Sequence, residues 1–82
     1  MKTRKLTLGN RNLVGARVTE ARLRQNLRQN ELLARLQLDG MDISVPALSL
    51  LEGQKRPVTD YELVALAKTL NVSVLWLLGL EE

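Results

Sequence analysis

The 82-residue sequence predicts a single all-α domain, a compact bundle of five short helices. Apolar residues recur at the three- and four-residue spacings of helix faces, and Ser, Thr or Asn stands before most of these segments, where helices are capped. No segment shows the period-two alternation of a strand. Tyr61 and Trp76 are the only aromatic residues, so the core is expected to be built from leucine and valine.

The first helix is expected over about residues 12–25. Asn12 is a favourable N-cap, and Asn26 fits the left-handed position that often ends a helix. Its apolar face consists of Val14, Val18 and Ala21. The second helix is expected over about residues 29–38, with Leu32, Leu33 and Leu36 buried.

The third helix is expected over about residues 45–52, with Leu48 and Leu51 on one face. Ser44 is the candidate N-cap, and Pro46 falls in the first turn, where its missing N–H costs nothing. Gly53 ends this helix. Leu50 is expected either to be exposed or to join the core of a shifted helix.

Thr59 and Glu62 form a capping-box pattern at the start of the fourth helix, which is expected to run to Leu70. Ser73 is expected to cap a short fifth helix over residues 74–78. The helix-ending residues that follow these two helices are Asn71 and Gly79.

Composition argues against several classes of function. The chain has no cysteine and no histidine, which removes thiolate metal sites, disulfides and the commonest general base. It also lacks a paired-carboxylate cluster and a phosphate-binding glycine loop, so we expect no enzyme, cofactor, metal or small-molecule ligand. Apolar runs such as Val74 to Leu78 are too short for a membrane span, and we expect a cytoplasmic protein.

Charge is distributed unevenly along the chain. Residues 1–56 hold eleven Lys/Arg and five Asp/Glu, whereas residues 57–82 hold one lysine and four acidic residues. Residues 1–11 resemble a basic arm and residues 12–82 a folded domain. A basic front is typical of a chain with a polyanionic partner, but ordinary sign variation on a solvated surface explains it equally well.

Several motifs occur in a familiar order: Val14-Gly15-x-Arg17-Val18, Leu27-x-Gln29-x-x-Leu32, Ile43-Ser44-x-x-x-Leu48-Ser49-x-Leu51-Glu52, Arg56-Pro57-Val58 and Leu66-Ala67-x-x-Leu70-x-Val72. Over residues 12–79 they resemble the lambda-repressor-like helix-turn-helix family, also called the Cro-type or xenobiotic-response-element family. The helix-turn-helix would span about residues 29–52. The link between its two helices, residues 37–43, is longer than usual for the family.

The resemblance implies a DNA-binding transcriptional regulator that places its third helix in the major groove of double-stranded DNA. The residues implied to face bases are Ser44, Val45, Pro46 and Ser49. Those expected at the DNA backbone are Arg28, Gln29, Lys55 and Arg56, joined by Lys2, Arg4 and Lys5 of the arm. Arg17 and Glu52 match a pair that joins the first helix to the end of the third.

Departures from the family pattern support a second interpretation. Arg28 stands where a capping Ser or Thr is usual, Leu33 where a small alanine is usual, and Gln54 where glycine is usual. The outward positions of the third helix carry apolar side chains instead of Arg, Lys, Gln or Asn. The alternative is therefore a helix-turn-helix fold whose apolar third helix binds another protein.

The C-terminal helix is too apolar for all its residues to face inward. Trp76 is expected in the core or at an interface. We expect a homodimer through this helix, with Trp76, Leu77 and Leu80 contributing. Such dimers place their recognition helices about 34 Å apart, one turn of DNA.

Overall fold

The computed structural model describes residues 8–82. Within this range the chain forms helices and no strand, so the predicted all-α class is confirmed. The five helices of the described chain are α1 (Gly15–Arg24), α2 (Gln29–Leu38), α3 (Val45–Glu52), α4 (Asp60–Leu70) and α5 (Val74–Leu77). Lys2, Arg4 and Lys5 lie outside the described residues.

The start of α1 lies three residues after the predicted N-cap, because Asn12 forms a turn of its own. Its Oδ1 accepts hydrogen bonds from the backbone N–H groups of Val14 (3.0 Å) and Gly15 (2.8 Å). Its Nδ2 donates to the carbonyls of Leu51 (3.1 Å) and Arg56 (2.8 Å). Asn12 therefore satisfies the first N–H groups of α1 and also ties this turn to the end of α3.

The bounds of α2 and α3 are those that the sequence predicts. Arg28 offers no side-chain acceptor at the start of α2, but the Glu31 carboxylate accepts from the Arg28 N–H at 2.8 Å. The hydroxyl of Ser44 caps α3 by accepting from the N–H of Ala47 at 3.2 Å. In the connection between them, Met41 and Ile43 are buried.

Capping also fixes the last two helices. The Thr59 hydroxyl accepts from the Glu62 N–H at 3.2 Å, and the Glu62 carboxylate accepts from the Thr59 N–H at 3.0 Å. This is the predicted capping box. The hydroxyl of Ser73 accepts from the N–H of Trp76 at 2.9 Å. The predicted left-handed positions, Asn26 and Asn71, both have φ of 56°.

Aliphatic side chains from all five helices fill the core. The fully buried apolar residues are Val18, Leu32, Leu36, Leu48, Leu51, Leu66, Leu70 and Leu77. Leu33 is only half-buried, and Leu50 is exposed, so α3 is not shifted toward the core. No helix within residues 8–82 combines the length and hydrophobicity needed to cross a bilayer.

The backbones of α1 and α3 meet at Gly15. A Cβ on this residue would lie 2.3 Å from the carbonyl oxygen of Leu51 and 2.8 Å from that of Glu52. The chain before α1 is also close to the end of α3, since the Gly9 N–H donates to the Gly53 carbonyl at 2.8 Å. These contacts hold the C-terminal end of α3 in a fixed position relative to the rest of the bundle.

Candidate nucleic-acid interface

The candidate interface is the side of α3 that faces away from the core. All four residues predicted to face bases are exposed there, and Leu50 joins them. We call this surface the outer face of α3; it consists of Ser44, Val45, Pro46, Ser49 and Leu50. Val45 is 45% exposed and Leu50 is 46% exposed, so a large part of the outer face is apolar.

The two hydroxyls of the outer face already form bonds within the protein. Ser44 uses an acceptor site as the N-cap of α3. Ser49 donates to the side-chain oxygen of Gln29 at 3.2 Å. Neither serine can form the bidentate contact with a base by which Arg, Asn or Gln recognises guanine or adenine.

Gln29, predicted to contact the DNA backbone, bridges α2 and α3. Its Nε2 donates to Oε1 of Glu52 at 3.2 Å, while its Oε1 accepts from Ser49. Both ends of the amide are therefore engaged with α3. This bridge fixes how α2 and α3 pack against each other.

Glu52 is the buried polar centre of the domain and is only 2% exposed. Its carboxylate accepts from Arg22 Nε and Nη2, both at 3.0 Å. It also accepts from the Thr19 hydroxyl at 3.0 Å and from Gln29. We call these four residues the Glu52 cluster, and it joins α1, α2 and α3.

The prediction that Arg17 pairs with Glu52 is wrong, because the Glu52 carboxylate pairs with Arg22. Gly15, Thr19 and Arg22 lie four and three residues apart on α1 and form the stripe that faces α3. The Arg22 side chain is itself largely buried, with only 11% of its surface exposed.

Arg17 packs instead against α5. Its guanidinium carbon lies 4.6 Å from the centroid of the Trp76 ring, and that of Arg24 lies 5.6 Å from it. Trp76 is thus partly covered by two cations of its own chain. Leu77 is fully buried, so its predicted place in a dimer interface is wrong; Leu80 is 71% exposed.

Three exposed cations lie beside the ends of the helix pair. Arg28 directly precedes α2, and Lys55 follows α3, which are the positions predicted for them relative to the two helices. The third cation, Arg11, is exposed, and its N–H donates to the Gln54 carbonyl at 2.9 Å. Only tertiary structure brings Arg11 to the turn after α3, so spacing in the sequence gave no signal for it.

Arg56, predicted to contact phosphate, is paired within the domain. Its Nη2 lies 3.0 Å from Oε2 of Glu62, and its side chain is 26% exposed. Burial raises the pKa of Glu62, but the Thr59 N–H and then Arg56 outweigh it, so this pKa lies below its ordinary value. Among the described residues, Arg56 Nη1 is buried without a hydrogen-bond partner.

The described residues carry no net formal charge. Residues 8–82 contain nine Lys/Arg and nine Asp/Glu. The excess of three positive charges in the whole chain therefore resides in Lys2, Arg4 and Lys5. Any attraction to a polyanion depends on these residues and on how the remaining charges are arranged.

In the described part of the chain, no three carboxylates lie close enough together to hold a metal ion. No protein-family model matches the sequence, and a search of curated proteins finds no significant similarity.

Proposed function

We propose that this chain is a DNA-binding transcriptional regulator of the lambda-repressor-like helix-turn-helix type. One arrangement carries the proposal: α2 and α3 are locked together through Gln29, leaving the outer face of α3 open to solvent. A rigid, exposed helix is the element that enters the major groove in this class. The same proposal implies that the protein acts in the cytoplasm and associates with the nucleoid when it is bound to DNA.

Cations near the helix pair support DNA as the partner. Arg28 lies at the start of α2, whereas Arg11 and Lys55 adjoin the turn after α3. The described chain begins at Leu8, next to Gly9, which is bonded to the same turn. In this proposal Lys2, Arg4 and Lys5, which precede Leu8 in the sequence, would contact phosphate or enter the minor groove.

A two-fold homodimer is part of the proposal. Leu75 and Leu80 are 50% and 71% exposed near the C-terminus, and Trp76 is only partly covered. An exposed apolar surface that packs against the same surface of a second copy is typical of two-fold subunit contacts. A dimer would present two copies of α3 to successive turns of DNA.

The apolar character of the outer face favours a second candidate, a protein-interaction module. Val45, Pro46 and Leu50 would then contact an apolar groove on another protein. This candidate predicts binding that depends little on salt. The DNA proposal predicts the reverse, because phosphate neutralisation releases counterions.

Titration with mixed-sequence duplex DNA at low salt distinguishes the two candidates. For DNA binding, we expect log affinity to fall linearly with log salt, with a slope of about −0.9 for each phosphate neutralised. Removal of residues 1–7 should make the slope shallower, whereas Lys68→Ala, an exposed lysine on α4, should leave it unchanged. No binding at tens of micromolar protein would favour the protein-interaction module.

A further inference from the structure

We propose that the outer face of α3 recognises the C5-methyl groups of pyrimidines in the major groove. The preferred binding site would be DNA with thymine, or 5-methylcytosine, at the contacted positions. The inference rests on the proposed function and adds the chemistry by which that site distinguishes bases.

The outer face presents mainly apolar side-chain atoms to an approaching base. Val45 and Ser49 are four residues apart, as are Pro46 and Leu50, so these residues form two adjacent rows on α3. Three of the four are apolar and all are exposed. A base edge in contact with these rows meets mainly methyl and methylene groups.

Hydrogen bonding offers little discrimination at this surface. Ser44 caps its own helix, and Ser49 donates to Gln29. The Gln29 amide, which is capable of a bidentate contact and adjoins the outer face at Ser49, is held by Ser49 and Glu52. Selection between bases therefore falls to apolar contact.

The major groove presents one apolar group, the C5-methyl of thymine; cytosine has hydrogen at the same position. A methyl group at that carbon is the feature that aliphatic side chains distinguish best. The exposed cations Arg11, Arg28 and Lys55 favour a nucleic acid over an apolar protein groove as the occupant, since such a groove offers them no counter-charge.

The test compares mixed-sequence duplexes of one length that differ only at C5. One carries thymine, a second carries uracil in its place, and a third carries uracil together with 5-methylcytosine in place of cytosine. We expect the thymine duplex to bind more tightly than the uracil duplex by about fourfold for each methyl group buried. The third duplex should recover part of that difference.

Variants assign the effect to the outer face. Val45→Ala with Leu50→Ala should bring the thymine-to-uracil affinity ratio close to one. The matched control is Val64→Ala with Leu38→Ala, which removes exposed apolar side chains from α4 and the end of α2 and should keep the wild-type ratio.

Each outcome has a distinct meaning. Tighter binding to thymine that the outer-face variant abolishes supports the inference. Equal affinity for thymine and uracil duplexes overturns it and leaves DNA binding intact. If neither duplex binds, the proposed function itself fails.

Discussion

The guanidinium of Arg22 lies edge-on against the carboxylate of Glu52, with Nε 3.0 Å from Oε2 and Nη2 3.0 Å from Oε1. Both side chains are almost entirely buried. This two-point geometry is the strongest form of an Arg–carboxylate contact. Thr19 and Gln29 also donate hydrogen bonds to this carboxylate, so protein donors stabilise the buried charge of Glu52 in place of water.

Arg22→Met should destabilise the fold by about 3–5 kcal/mol, because it leaves the buried Glu52 carboxylate without its cation. Arg17→Met is the matched control on the same helix and should cost only about 0.5–1 kcal/mol, the contribution of a partly exposed cation–π contact. Urea denaturation of both variants measures the difference. Equal losses would contradict the role assigned to Arg22.

Sequence reasoning could not decide between these two arginines, because both border the apolar stripe of α1. Arg17 lies beside Ala21 at one edge of this stripe and Arg22 lies beside Val18 at the other edge. Helical spacing alone does not show which edge faces α3. By contrast, the bounds of α2, α3 and α4 followed from local signals, caps and turn residues. The features missed are those fixed by tertiary contacts, such as the burial of Leu77 and the pairing of Arg56 with Glu62.

Gly15→Ala should destabilise the domain by at least about 1–3 kcal/mol, because its Cβ would overlap the carbonyl oxygens of Leu51 and Glu52 and force α1 from α3. Gly53→Ala is the control. It has φ of −82°, and its nearest neighbour would be Ser49 O at 3.3 Å. Thermal unfolding should show a much larger loss for Gly15→Ala, and similar melting temperatures would argue against close helix contact.

Acid should weaken the Glu62 capping box and ion pair. The pKa of Glu62 is lower in the folded chain than its ordinary value of 4.5, so its stabilising effect is complete above that value and is lost as pH falls through the folded pKa. Glu62→Gln keeps an acceptor for the Thr59 N–H but loses the charge. We expect this variant to be less stable at neutral pH and to approach the wild type in acid.

Denaturation at a series of pH values measures that convergence. Glu82→Gln, at the exposed C-terminus, is the control and should follow the wild-type curve throughout. A constant difference between wild type and Glu62→Gln across the acid range would show that Glu62 does not titrate as proposed.

Leu80→Ser should weaken self-association with little loss of stability, since its side chain is 71% exposed. Trp76→Ala should lower stability as well, because Arg17 and Arg24 stack on the ring. Sedimentation at high micromolar concentration measures association, with Val64→Ser on α4 as the control. A wild-type monomer under these conditions would rule out the dimer.

Lys55→Ala and Arg56→Ala should affect DNA binding by different routes, although the residues are adjacent. Lys55 is exposed, so its loss should weaken binding to all duplexes alike and make the salt slope shallower by about 0.9. Arg56 is paired with Glu62, so its loss should lower the free energy of unfolding and change the salt slope little. Salt-dependent titration and urea denaturation of both variants separate affinity from stability. If Arg56→Ala made the salt slope as shallow as Lys55→Ala does, Arg56 would exchange Glu62 for phosphate on binding, and its ion pair would belong only to the free protein.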